Sequence, residues 1–290
     1  MDTKILPCAE GDAEYVWERD AEESCAAEFC GEGAEELLVF KVEAESYGII
    51  GGCVLSIDLS GNAEFNRLWV DERFRRRGIG SALVCEAERA ARERACQAII
   101  NAYNFDFQAA KPLFENLGYP CIGVAKDWPK GHESYIFLKR LYDASSELSP
   151  APPELAPAFE VKRGDDADGK LIAARLEEYN SAFAPRRHPY IDLDRKLVDA
   201  SGNIIGGCIA GVSGWDAAHI DLLWVDARFS GLGLEAALIG KIEREAKKLG
   251  AYIARTNAAE AQAELFKARG YEVVTVYDGC PKWFVMQKKL

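Results

Sequence analysis

The chain carries one segment twice. Ile50-Gly51-Gly52-Cys53 returns as Ile205-Gly206-Gly207-Cys208, and Leu68-Trp69-Val70-Asp71 returns as Leu223-Trp224-Val225-Asp226. Both pairs are displaced by 155 positions, a shift that also carries Phe74 onto Phe229, Gly78 onto Gly233 and Leu83 onto Leu238. Further along, the displacement falls to 152 and lays Leu113-Phe114 and Gly118-Tyr119 over Leu265-Phe266 and Gly270-Tyr271. A period this long is too large for a solenoid and fits a duplicated globular domain. At about 150 residues per domain, 290 residues give the same two.

Between the copies runs DASSELSPAPPELAPA, residues 143–158, whose Pro, Ser and Ala content predicts an extended, semi-rigid linker. The domains are therefore expected at 1–142 and 159–290, docked as an internal pseudo-dimer. In the first copy the periodicity predicts strands over 36–42, 48–58 and 64–70, then a helix over 79–94 with Leu83, Val84, Ala87 and Ala91 on one face. A strand over 98–102, a short helix over 111–117 stopped by Gly118, and closing strands over 121–126 and 134–141 follow. Strands on both sides of a strand-loop-helix unit predict an α/β fold, a mixed and mostly antiparallel sheet flanked by helices.

Charge narrows the function. Lys and Arg total 35 against 47 Asp and Glu, a formal net charge of -12. Such a surface repels phosphate backbones and anionic lipid, so neither nucleic acid nor membrane is an expected partner. It suits a cationic small molecule or peptide. The N-terminus lacks a basic region followed by an apolar one, and no apolar run approaches the roughly 18 residues of a membrane span. The 9 cysteines include no C-x-x-C pair, which predicts reduced thiols in the cytoplasm and no metal site.

Against this acidic background, Val70 is followed by Asp-Glu-Arg-Phe and then Arg75-Arg76-Arg77-Gly78-Ile79-Gly80-Ser81, joining a strand end to a helix start. Glycines there admit a ligand close to the backbone, and the helix N-terminus offers unpaired amides and a positive dipole end. Three arginines add positive charge. A solvated basic turn is the alternative reading of the arginines alone. The stretch resembles the pyrophosphate-binding signature Arg/Gln-x-x-Gly-x-Gly/Ala of the GCN5-related N-acetyltransferase (GNAT) superfamily. Ile-Gly-Gly, Leu-Trp-Val-Asp, the Gly-Tyr after the short helix, Asp127-Trp128-Pro129-Lys130-Gly131-His132 and the closing strand at Tyr135 extend the resemblance over most of both halves.

The resemblance implies two tandem GNAT-like domains and acetyl-CoA, or another acyl-CoA, as donor. It implies that amides from Arg76 to Ser81 hold the pyrophosphate with Arg75 and Arg77, and that backbone at Leu68 and Val70 orients the pantetheine. An acceptor amine then attacks the thioester directly, helped by proximity, a base and oxyanion stabilisation. Glu64 lies on the strand where many family members keep a catalytic carboxylate, and strict alternation places Glu64, Asn66 and Leu68 on one face. An exposed strand acid fits the same position. His132 lies in the loop that the family folds toward the acceptor and is a second candidate base, with a surface-turn histidine as the alternative. The Tyr that the family often uses as general acid is Phe114 here, which leaves water to protonate the thiolate of an acidic thiol, or Tyr103 and Tyr119 as substitutes. Residues 101–108 are expected to skirt the pantetheine, and the acids of residues 12–30 to form a wall for a cation or a solvated helical face.

The second copy reads Ser230-Gly231-Leu232-Gly233-Leu234-Glu235 at the matching place, so Gly80 has become Glu235 and the arginines are gone. A carboxylate at a helix N-terminus repels phosphate while stabilising the empty helix. The expected function is an N-acyltransferase working through the first domain on a small-molecule or peptide primary amine. A non-catalytic acetyl-CoA sensor or interaction module is the alternative, favoured by Phe114 and by the altered second copy.

Overall fold

A computed structural model describes residues 3–23, 36–57, 61–105, 108–142, 155–156, 158–277 and 282–290, with the side chains at 21–23, 103 and 104 outside the description. In chain order the first half contributes β1 (Lys4–Pro7), α1 (Asp12–Glu23), β2 (Glu36–Ala44), β3 (Gly48–Ile57), β4 (Asn62–Val70), α2 (Ile79–Glu93), β5 (Ala98–Phe105), α3 (Ala110–Asn116), β6 (Cys121–Lys126) and β7 (Glu133–Arg140). The second half contributes β8 (Val161–Arg163), α4 (Asp166–Phe183), β9 (Ile191–Asp192), β10 (Arg195–Val198), β11 (Ile204–Val212) and β12 (Ala217–Val225). It ends with α5 (Leu234–Lys248), β13 (Ile253–Ala259), α6 (Glu260–Ala268), β14 (Glu272–Tyr277) and β15 (Trp283–Lys289).

Among the described residues the strands form two mixed, mostly antiparallel sheets, ordered β6-β7-β5-β4-β3-β2-β8 and β1-β10-β11-β12-β13-β15-β14, with β9 on β11. The compact units do not follow the halves of the sequence. One is Glu32–Pro185 and the other joins Met1–Gly31 to Arg186–Leu290. Each repeat gives its leading strand and helix to the unit of the other: β8 pairs with β2, and β1 with β10. The second glycine of each Ile-Gly-Gly-Cys shows what seats these helices. A Cβ at Gly52 would collide with Ile172 of α4, and one at Gly207 with Val16 of α1. Ile172 and Val16 are fully buried, each worth about 1.5–3 kcal/mol over exposure. The exchange is reciprocal down to its ion pairs, Lys41 to Asp168 at 3.1 Å and Lys196 to Asp12 at 2.6 Å.

In the Glu32–Pro185 unit both faces of the sheet are covered. Leu38, Phe40 and Val42 alternate out of β2 into a core shared with Leu83, Val84 and Ala87 of α2. Val39 points the other way and packs with Trp69 and Ile172. Behind α2, buried Glu88 pairs with Lys139 at 3.2 Å and Arg92 at 3.0 Å. Glu243 repeats this with Lys288 and Arg269, so the network belongs to the fold.

Candidate functional site

β4 and β5 run parallel and pair only at Asn62–Ala98, Ala63–Ile99 and Glu64–Ile100. β4 continues to Val70 and β5 to Phe105, so the two strands part in the middle of the sheet. A cavity of about 270 Å³ lies there, walled by β4 from Phe65 to Val70, the start of α2, Leu113 of α3, and Leu176 and Tyr179 of α4. Every wall residue belongs to the Glu32–Pro185 unit. A parted strand edge offers main-chain donors and acceptors to a ligand's amide groups. One is engaged: the Val70 carbonyl accepts from Arg75 Nε at 3.0 Å.

At the cavity's end α2 begins behind Gly78, whose φ of 84° lies in the left-handed region. The first amides of the helix have no partner within it and carry the positive end of its dipole. Gly80 keeps the approach open, since a Cβ there would stand 3.3 Å from Leu113 Cδ2. The structure sorts the arginines that the sequence presents as one cluster. Arg75 and Arg76 line the cavity. Arg77 is exposed and lies outside the wall, its guanidinium 5.2 Å from the Phe74 ring. Arg73 is clasped by Asp71 through bonds of 2.9 and 2.7 Å, and the Arg228–Asp226 pair copies it in the other unit. That pair shapes the turn after the strand in both repeats. Helix-start amides, two guanidiniums and a parted strand edge suit a long ligand with an anionic end and amide groups along its length.

The family model for the Acetyltransferase (GNAT) family matches residues 5–119 and again 152–271. The chain belongs to this family, in tandem. Among curated proteins it is 35% identical over 74 residues to a blasticidin-S acetyltransferase from Streptomyces morookaense, covering 26% of this chain and 54% of that protein. The chain thus spans about half the length of this relative. Among solved structures, an acetyltransferase from Bacillus cereus ATCC 14579 is 25% identical, covering 45% of this chain and 97% of that one with a TM-score of 0.43. A tandem GNAT protein from the clavulanic acid biosynthesis pathway is 17% identical, covering 99% of this chain and 98% of that one with a TM-score of 0.41.

The second GNAT repeat keeps the frame and changes its contents. α5 starts behind Gly233 at a φ of 75°, yet Glu235 stands in its first turn. The Leu223 carbonyl, counterpart of Leu68, accepts from Gln262 Nε2 of the same unit at 2.7 Å. At the matching place the first repeat has Ala110, too short to reach. Side chains of the second repeat thus take positions that the first leaves to the cavity. His219, the counterpart of Glu64, is pushed down to about 3 by burial and by Arg255, which keeps its imidazole neutral.

Of the residues singled out in the sequence, Leu68, Val70, Arg75, Arg76, Gly78, Ile79, Gly80 and Ser81 come together in the cavity wall, as do Asn101 and Gln108. Glu64 and His132 are not wall residues. Nor do Glu64 and Leu68 share a face. β3 pairs Val54 with Arg67 and then Leu55 with Phe65, so Asn66 is a bulge that shifts the alternation by one. Ala63 and Phe65 before it, and Leu68 and Val70 after it, turn toward α2, which leaves Glu64 on the α4 side with Trp69. His132 sits in the turn before β7, its amide donating to the Pro129 carbonyl at 2.8 Å. Tyr103 lies on β5 and its side chain is outside the described residues.

Tyr119 is buried in the core 3.4 Å from Glu88, and burial raises its pKa well above normal. Phe114 is buried between Phe65 and Phe137. The acids of residues 12–23 sit on α1, in the other unit, and residues 24–30 are outside the described residues. What the sequence missed is α4. Its Ile172, Leu176 and Tyr179 follow a helical period, a signal that a face is buried without saying against which sheet.

Proposed function

We propose that the chain transfers an acetyl group from acetyl-CoA to a primary amine through the cavity of the Glu32–Pro185 unit. One observation carries the reading: the gap between β4 and β5 ends on a glycine-lined helix N-terminus with Arg75 and Arg76 in its wall. These groups fit the donor. The amides of Ile79, Gly80 and Ser81 would hold the pyrophosphate with Arg75 and Arg76, and β4 from Leu68 to Val70 would hold the pantetheine. When bound, acetyl-CoA supplies an activated acyl group, so the chain's own task is to align an amine and take its proton.

Phe65 and Leu113 add apolar surface to the wall. Glu64, one residue from Phe65 and on the face toward α4, takes the ammonium proton through solvent. Phe114 cannot act as acid, so protonation of the departing thiolate would fall to water, with Tyr103 as the side-chain alternative, and His132 stays the second candidate base. The acceptor is a small amine, a class supported by the name of the Streptomyces relative and by the acidic surface. No helix among the described residues is long and apolar enough to cross a membrane, and no cluster of potential metal ligands occurs among them. We place the protein in the cytoplasm.

The wall contains no carboxylate or imidazole among its described residues, an observation that favours the second reading, a non-catalytic acetyl-CoA sensor. Release of free thiol from acetyl-CoA across an amine panel separates the two. The enzyme reading expects amine-dependent release that Glu64→Gln lowers by roughly a hundredfold or more. Binding without release from any amine supports the sensor, and an unchanged rate in Glu64→Gln removes that residue as base.

A further inference from the structure

Tyr179 is numbered in the second repeat, yet it lines the cavity opened by the first repeat's glycines. Arg75 Cζ lies 4.5 Å from the centre of its ring, the spacing of a guanidinium stacked on an aromatic face. Arg75 Nε donates to the Val70 carbonyl at 3.0 Å, and Arg75 Nη1 stands 3.7 Å from Glu72 Oε1. The guanidinium is thus fixed at one edge and across one face, and its remaining donors stay available.

The support under Tyr179 is firm. α4 is pinned by Ile172 over Gly52 and by its capping box, in which Asp165 and Asp168 exchange bonds of 3.0 Å. One residue past Tyr179, buried Asn180 accepts from Gln108 Nε2 at 2.7 Å, and Gln108 Oε1 accepts from the Phe105 amide at 3.1 Å. This ties α4 to the end of β5, the other lip of the gap.

We propose that Tyr179, delivered by the second repeat, is a positioning residue that holds Arg75 ready for the pyrophosphate of the donor. An arginine loses rotamer freedom when it grips an anion, and one already stacked has less to lose. The binding site of the first repeat is thereby completed by the second. This rests on the acetyl-CoA reading above.

The test compares the affinity of acetyl-CoA with that of S-acetylpantetheine, which lacks the pyrophosphate and nucleotide, in wild type, Tyr179→Ala and Tyr179→Phe. Tyr179→Ala is expected to bind acetyl-CoA about three- to tenfold more weakly and S-acetylpantetheine within about twofold of wild type. Tyr179→Phe keeps the ring and is expected to stay within about twofold for both. In an Arg75→Ala background, Tyr179→Ala is expected to add nothing. Unchanged acetyl-CoA binding in Tyr179→Ala overturns the proposal. Equal weakening of both donors, or the same loss without Arg75, also overturns it, since Tyr179 would then be wall only. Wild type binding neither donor overturns the acetyl-CoA reading itself, a result distinct from these.

Discussion

Arg76 has a φ of 62°, in the left-handed region, where its counterpart in the second repeat is Gly231 at 74°. The turn needs that conformation in both repeats, and a residue with a Cβ adopts it at a cost of about 1 kcal/mol. Glycine satisfies the geometry where no ligand is proposed; arginine is kept where the cavity lies. We therefore expect Arg76→Gly to stabilise the protein by about 0.5–1 kcal/mol in denaturant unfolding while weakening acetyl-CoA binding. A loss of stability would show that the turn does not strain Arg76. The sequence displayed the arginines and glycines plainly, because ligand-facing residue types in a fixed order are local. It could not sort Arg75 and Arg76 from Arg77, since that depends on the two left-handed steps at Arg76 and Gly78. Nor did it reveal the bulge at Asn66, which breaks the alternation used to place Glu64.

The elements from β2 to β7 were legible because each carries its own period: alternation in β2, a helical stripe in α2, and Gly118 as a stop after α3. What lay beyond reach was partnership. The apolar stripe of α4 is as compatible with the second sheet as with the first, and only the paired glycines record where it docks. Gly51 lies under Ile79 of α2, and Gly52 under Ile172 of α4, one helix to each face. Gly52→Ala is expected to push α4 outward, cost about 1–3 kcal/mol, and weaken acetyl-CoA binding because Tyr179 moves with the helix. Gly207→Ala makes the same collision with Val16 in the other unit and is expected to cost similar stability with acetyl-CoA affinity unchanged. Equal effects of the two variants on affinity would refute the assignment of α4 to the site.

At the scale of the molecule, duplication has left two frames with different contents. The first repeat supplies Gly80, Arg75, Arg76 and a parted strand edge; the second places Glu235 and Gln262 at the corresponding points. Exchange of the leading strand and helix makes each unit a product of both repeats, and we propose that the second persists as a structural partner without a donor site of its own. The central claim is one donor site, at the start of α2. Titration calorimetry with acetyl-CoA on wild type and Gly80→Glu tests it directly, since the variant installs the second repeat's residue in the first repeat's cradle. We predict one acetyl-CoA per chain, with binding abolished in Gly80→Glu and the fold retained. Two sites per chain, or binding that survives the substitution, would contradict the account.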